Sequence, residues 1–402
     1  MPPAPAPAPL AGERLVEVGN YMAVPFCGMQ LADLGAEVIK VENPRGGDLT
    51  RAAGPFIDGE SSNFVRLNRN KRSVALDLKA ADGKALFRRL VESADVVIEN
   101  LRPGTMDDLG LGYATLSEAS PRLVYLAATG FGGDGPYAEM AGLDIIAQGM
   151  SGLMSITGEP GRPPVKVGVP IADLTCALYG TIAVLAALRA RDRDGRGQYI
   201  DVSLFESAVS FAVWEAGRYF ATGEVPQASG SAHQAIAPYQ AFRSADGWFT
   251  FGANTQAHWL RCCATLGLDE LTSDERFVSN ERRMANRPAL IAAIEAVTTT
   301  QPSAHWTARL TEAGIPCGPI LPFDQVFADP HLAQRGFFVD APHATLGPVR
   351  QIGSPMRLSR TPARIESAGP VLGGDSAEVL RGLGVGDDEL ARLAGAGVTV
   401  LA

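Results

Sequence analysis

The strongest constraint on this chain is a strand–helix alternation that begins at Arg14. Arg14–Val18 reads as a short strand, Phe26 to Leu34 has helical spacing with Pro25 suited to a first turn, and Ala36–Val41 is an apolar strand. Two strands joined through a helix are parallel, because a parallel pair needs a long crossover. The pattern continues with a strand at Ser73–Leu78, a helix at Ala81–Ser93, and strands at Asp95–Ile98 and Leu123–Ala127. The expected class is α/β around a parallel sheet, whose ligands bind beyond the carboxyl ends of the strands.

Dozens of enzyme types share that architecture, so the exclusions matter. No GxGxxG follows the first strand and no GxxxxGK[ST] occurs, which disfavours nicotinamide enzymes and P-loop ATPases although the sheet is Rossmann-like. GxSxG and HExxH are also missing, so serine hydrolases and zincins have no support. Further on, residues 131–169 read as Gly- and Pro-rich loop with a short helix at Asp144–Met154. Leu174–Ala190 is a strong helix ended by RDRDGRGQ at 191–198, Tyr199–Val202 a strand, and Leu204–Ala221 a helix. Residues 222–240 form a polar linker, and Phe242–Phe251 a hairpin turning at Ala245-Asp246-Gly247. Small helices are expected from His258 to Arg309 and a strand near Ile315–Ile320, and the tail beyond Gln351 carries Ser354–Arg364 and a last helix around Ala377–Leu383.

Charge and cysteine usage narrow the partners. With 35 Lys and Arg against 44 Asp and Glu, the net charge is −9, a poor match for general nucleic-acid or anionic-membrane binding. The longest apolar run, Cys176 to Leu188, falls short of the ~18–20 residues that span a bilayer. Five cysteines without a CxxC pair argue against a zinc ribbon or a thioredoxin-type site and suit free thiols in a reducing cytoplasm, and no metal is expected. Met1 to Leu10 alternates Pro and Ala and is expected to be a short extended leader, not a signal peptide.

Three constellations carry chemistry. Asp173 stands at the start of the long apolar helix, where a helix cap is the ordinary explanation. Free amides and the helix dipole would also keep such a carboxylate ionised and nucleophilic. Second, Arg66 to Arg72 holds four cations in seven residues. Leu76-Asp77-Leu78-Lys79 follows it, and Glu99-Asn100-Leu101-Arg102 comes later; both are placed at strand carboxyl ends. Residues 61–102 contain nine Lys and Arg against five Asp and Glu, a seat for a phosphorylated ligand in an acidic protein. Third, the small residues of Gln227–Tyr239 and Gly252-Ala253-Asn254-Thr255-Gln256 suit a loop that closes over a site, or an ordinary linker and hairpin end. His233 and His258 lie near these motifs and read as polar structural residues.

The chain resembles the class III CoA-transferases, the carnitine/formyl-CoA transferase (CaiB/BaiF) family. The resemblance is carried by QLADLGAEVIKVE at 30–42, Gly47-Asp48, Asn70-Lys71-Arg72-Ser73, Glu99 to Gly104, Thr129-Gly130-Phe131-Gly132 and Gly195-Arg196-Gly197-Gln198. Ala237-Pro238-Tyr239, Ile315-Pro316-Cys317 and Ser359-Arg360-Thr361-Pro362 continue it in order. It implies a large Rossmann-like domain built from residues 1–221 and 315–402, and a smaller α+β domain at 222–314. It also implies an interlocked homodimer, an exception to the usual absence of threaded chains.

The resemblance assigns Asp173 as nucleophile toward an acyl-CoA thioester, with coenzyme A as co-substrate, no tightly bound cofactor, and a carboxylic acid acceptor. Arg and Lys near the N-terminal segment suit a second carboxylate, so a short (di)carboxylic acid such as succinate is the expected acceptor. Asp144 matches a site acid of some members, with a helix cap as the alternative role. Met22, Ala23, Leu76 to Lys79 and Asn100, Leu101 and Arg102 match CoA-binding positions. Arg45, Lys71, Arg72 or Arg102 would replace cations that other members place elsewhere. Gly252 to Gln256 matches a glycine-rich shielding loop. The family also includes α-methylacyl-CoA racemases, which need an acid and a base on opposite faces of the α-carbon. Where racemases carry a His before Asp, this chain has Gly142-Leu143-Asp144, and Thr255 stands where they carry a Glu. Leucine moves no proton, which favours transfer. Racemisation, and a non-catalytic CoA-binding protein, are the alternatives.

Overall fold

The computed structural model describes residues 6–402, so the leader expected over Met1–Leu10 lies partly outside the described residues. The chain divides into two compact units. The first takes the chain up to Leu153, then Lys166–Gly217 and Pro330–Ala402; the second is Met154–Val165 with Arg218–Asp329.

The first unit is built on six parallel strands: β1 (Arg14–Val18), β2 (Glu37–Glu42), β3 (Lys71–Ala75), β4 (Val96–Glu99), β5 (Val124–Thr129) and β6 (Tyr199–Ser203). Their order is β3-β2-β1-β4-β5-β6. The chain winds one way from β1 to β3 and the other way from β4 to β6. Its topological switch point, where a ligand crevice opens, is therefore between β1 and β4. Both faces are apolar, as a sheet covered on both sides requires. One face packs Leu15, Val38, Ile98 and Leu126 under α1 (Ala23–Asp33) and a long helix at Ile171–Asp194. The other packs Val16, Ile39, Val97 and Tyr125 against α2 (Ala81–Glu92) and the C-terminal helices Ser376–Gly382 and Asp387–Gly395.

The return of the chain closes the β3 edge, where backbone groups would otherwise be left for another strand. The Asp375 carboxylate accepts from Ser73 N–H at 2.8 Å, Ser376 Oγ accepts from Ala75 N–H, and Thr399 Oγ1 donates to the Ala75 carbonyl.

The second unit is a three-stranded antiparallel sheet, β7 (Tyr239–Arg243), β8 (Trp248–Gly252) and β9 (Cys317–Pro319), in the order β9-β8-β7. Helices between Gln256 and Glu312 surround a core of Phe242, Phe249, Phe251 and Trp259. The strand expected near Ile315–Ile320 is β9. It pairs with β8 inside the second unit, so this unit runs on to Asp329 instead of ending at 314. Past Pro330, a hairpin at Phe338–His343 and Gly347–Ile352 precedes the irregular Ser354–Arg364 stretch.

Two expected helices divide. The one over Asp144–Met154 becomes α3 (Asp144–Met150) and Leu153–Ile156, parted at Gly152, whose positive φ breaks the helix. The one over Leu204–Ala221 becomes α5 (Leu204–Ser210) and Val213–Thr222. We label Ile171–Asp194 α4. At 24 residues it is long and apolar enough, by length and composition alone, to cross a membrane. Its buried side, however, packs on α1, β5 and β6 as a core helix does.

Candidate active site

Helices that follow or precede parallel strands run against them, so α1 and α4 both start at the carboxyl edge of the sheet. The two helices pack against each other, with Thr181 Oγ1 of α4 3.5 Å from Cys27 Sγ of α1.

Asp173 is the third residue of α4, not its cap. The capping position is Pro170, which contributes no side-chain hydrogen bond. The orphan amides of the first turn are satisfied from α3 instead. Asp144 Oδ1 accepts from Ala172 N–H at 2.9 Å and from Asp173 N–H at 3.5 Å. Asp144 therefore caps a helix, but α4 and not its own. A backbone contact brings α3 there: a Cβ on Gly130 would lie 2.5 Å from the Gly142 Cα, and one on Gly142 would lie 2.3 Å from the Gly130 Cα. Only glycine at both positions lets the end of β5 touch the chain entering α3.

Among the described residues no donor is recorded on the Asp173 carboxylate, which is half-buried. Burial, and then the neighbouring Asp144 charge, push its pKa up to about 7. The helix terminus, expected to favour the ionised form, is opposed here by desolvation and by a like charge. A carboxylate that must be deprotonated to attack as a nucleophile gains activity as pH rises through its pKa. We expect kcat/KM to climb with a midpoint near pH 7 and to level off above it. A profile flat from pH 5.5 to 8.5 would contradict this.

At the switch point, Asn100 closes the gap between β1 and β4. Its Oδ1 accepts from Asn20 N–H at 2.9 Å and its Nδ2 donates to the Asn20 carbonyl at 2.8 Å. Leu101 N–H is held by Glu99 Oε2, and Arg102 projects into solvent. Met22 caps α1 and Ala23 is its buried first residue. These five residues follow the carboxyl ends of β1 and β4, at the switch point. Tyr21, more than half exposed, lies beside them with φ +61°, an uncommon conformation for a bulky side chain. Its N–H donates to Asp48 Oδ1. Beyond β2 and β3, the exposed Arg45 pairs with Asp77 at 3.0 Å, Lys79 is exposed, and Leu76 is buried core.

The cation cluster is not a phosphate seat. Arg66 donates to Ser62, and buried Arg69 makes a two-pronged contact with Asp33. Lys71 Nζ is fully buried. It meets Glu17 Oε2 at 2.8 Å, the Pro25 carbonyl at 2.8 Å and Asn68 Oδ1 at 2.8 Å, which occupies its donors. Arg72 is taken by Glu37, Asp375 and Glu378. Lys71 and Arg72 are struts of the sheet, neutralised by acids distant in sequence. The cations exposed at this edge are Arg45, Lys79 and Arg102.

The expected shielding loop is also different. Gly252 ends β8, where any Cβ would crowd the Tyr239 ring at 3.1 Å. Gln256 opens the helix Gln256–Leu266 and bonds to Val278 and Arg283. Thr255 caps that helix through its side chain on His258 N–H. Only residues 253–255 remain as loop, all inside the second unit.

A doubly wound sheet with a half-buried carboxylate at a helix start is a frame that many enzyme classes share. Comparison with known proteins makes the class specific. The model of CoA-transferase family III matches residues 10–376, and the chain belongs to that family. A succinate–glutarate CoA-transferase from Agrobacterium fabrum is 40% identical over 379 residues, covering 92% of this chain and 95% of the relative. A succinyl-CoA–D-citramalate CoA-transferase from Chloroflexus aurantiacus is 36% identical, covering 96% of this chain and 97% of the relative. A CaiB/BaiF family protein from Brucella suis superposes with a TM-score of 0.85 at 40% identity, over 94% of this chain and all of that one. The protein is an enzyme, a CoA-transferase that uses CoA thioesters as co-substrates.

Proposed function

We propose that the enzyme moves CoA from a short acyl-CoA to a dicarboxylic acid through covalent intermediates on Asp173. The observation that carries this reading is the Asp173 carboxylate itself, half-buried, near-neutral in pKa and without a recorded protein donor. Asp173 attacks the donor thioester carbon, the C–S bond breaks, and CoA thiolate leaves a mixed anhydride. The thiolate then attacks the aspartyl carbon and expels the donor's carboxylate, leaving an aspartyl-CoA thioester. The acceptor carboxylate attacks that carbon and releases the thiolate, giving a second anhydride. Attack of the thiolate on the acceptor's acyl carbon yields the new acyl-CoA and frees Asp173. No proton is consumed, and the thioester's energy is retained throughout. Water must be excluded from each intermediate.

A dicarboxylic acceptor is supported by relatives whose names include succinate, glutarate and citramalate. Met22, Ala23, Asn100, Leu101 and Arg102 form the proposed CoA crevice, with Arg45 and Lys79 toward the phosphates. Incubation with succinyl-CoA, followed by hydroxylamine and peptide mass spectrometry, tests the mechanism. A hydroxamate on Asp173 is expected, and its absence during active turnover would exclude the covalent route.

The reading includes a homodimer in a reducing cytoplasm, the latter consistent with five free cysteines. The outer face of α4 leaves Leu178, Tyr179 and Ile182 exposed, and the neighbouring stretch leaves Val209, Phe211 and Val213 exposed. The rings of Tyr179 and Phe211 are 6.2 Å apart, so the patch is continuous. Contiguous apolar surface of this kind marks an interface, and a second copy is the proposed occupant. Ile182→Asp is expected to convert dimer to monomer in sedimentation velocity; a monomeric wild type would refute the pairing.

A further inference from the structure

Gln148 belongs to none of the sequence motifs, yet its side chain is fully buried on α3 beside the nucleophile's turn. A buried carboxamide must find partners for both its ends. Here Oε1 accepts from Val167 N–H at 2.9 Å, and Nε2 donates to Asp144 Oδ2 at 2.7 Å. The partners fix the orientation of the amide: a backbone N–H can only meet the oxygen, and a carboxylate can only meet the nitrogen. Asp144 uses its other oxygen on Ala172 and Asp173. The result is one connected path from the approach loop at Val167, through Gln148 and Asp144, to the first turn of α4.

We propose that Gln148 is the positioning residue of this site, the clamp that holds Asp144 against the Asp173 turn and ties down the loop entering α4. The inference rests on the reading of Asp173 as nucleophile. No other type of side chain fits the place. Glutamate would set an acceptor against a carboxylate, lysine has no acceptor for Val167, and methionine has neither group. Asparagine has both groups but is one methylene too short to reach both partners.

The clamp also governs charge. Titratable groups on the elements packed against α4 are Cys27 and Asp33 on α1, Asp144 on α3, Glu206 on α5, Tyr125 on β5, and Tyr199 and Asp201 on β6. Asp144 is the one whose charge acts on Asp173, and Cys176, one turn along α4, is held neutral by burial. The Gln148 N–H holds the Asp144 carboxylate, and with it the charge that Asp173 faces, in one place. Without that hold Asp144 can swing away from the turn, its charge acts less on Asp173, and the Asp173 pKa falls.

The test is Gln148→Met, measured in two ways. The midpoint of the kcat/KM profile should move to lower pH, with kcat at its plateau down roughly ten- to a hundredfold from misplacement and KM changed far less. A lower plateau at an unchanged midpoint would mean a structural role only, and would overturn the proposal. Independently of turnover, peptides covering residues 166–173 should exchange amide hydrogen faster; unchanged exchange would also overturn it. Faster exchange together with full activity of Asp173→Asn would instead refute the nucleophile reading alone. If Gln148→Met does not fold, Gln148→Asn is read by the same two criteria.

Discussion

Changing Asp173 to asparagine should lower kcat for CoA transfer by roughly 10⁴-fold or more, the scale seen when a covalent nucleophile is removed. The amide keeps the size of the side chain and loses the attacking oxygen. The hydroxylamine-trapped adduct should disappear with turnover. Folding should survive, because among the described residues the only hydrogen bond of Asp173 outside the helix ladder is its backbone N–H to Asp144. The native acid is itself strained electrostatically, since burial and Asp144 both disfavour its charge. Asparagine removes that conflict, so the variant's unfolding midpoint in urea should equal or exceed that of the wild type. Retained turnover in a folded Asp173→Asn enzyme would sink the mechanism, whereas loss of turnover with loss of fold would mean only a structural role.

The largest expected effect on stability lies elsewhere, at Glu17. Its carboxylate sits fully buried between two lysines: Lys40 Nζ at 2.8 Å from Oε1 and Lys71 Nζ at 2.8 Å from Oε2. Lys40 also meets Asp48 Oδ2 at 2.8 Å and the Gly19 carbonyl at 2.8 Å. With Glu17, Asp48 and Glu42 around it, Lys40 has its pKa raised despite burial. Lys71 has fewer acids and faces Lys40, so burial brings its pKa down to about 8. Glu17→Gln leaves these ammonium groups under-neutralised in the core. We expect a loss of about 3–5 kcal/mol in unfolding free energy, the range for breaking a buried ion pair from one side. Adding Lys71→Met should recover part of the loss, a coupling that urea denaturation of the double-mutant cycle measures. A loss below about 1 kcal/mol, the range of a surface pair, would show that the network contributes little. Gly28 is part of the same arrangement: a Cβ there would sit 2.0 Å from Glu17 Oε2, so α1 can lie over β1 only with glycine at this point.

This network explains why the site was only partly legible in the sequence. The central strands could be read because they are short, mostly apolar runs, and burial on both faces of a parallel sheet demands that pattern. Asp173 could be read because it stands at the edge of a long apolar helix. The four cations at 66–72 pointed to a phosphate, and that was misleading. The acids that pair with Arg69, Lys71 and Arg72, among them Glu17, Asp33, Glu37 and Asp375, lie tens to hundreds of residues away, and local charge counting cannot see pairing of that kind. Gln148 left no signal for a related reason. A glutamine on a short helix looks like any surface residue until Val167 and Asp144 are brought to its two ends.

By itself the sequence determined the α/β class, the nucleophile candidate and the family, because each is written in local pattern: apolar period, helix start and ordered short motifs. Only the tertiary structure decided the switch point between β1 and β4, the use of Asp144 as the cap of a different helix, and the near-neutral pKa of Asp173. It also withdrew Lys71 and Arg72 from the surface and reduced the expected loop at 252–256 to three residues. These all depend on burial and on charges brought together from distant segments, and burial and distance exist only once the chain has folded.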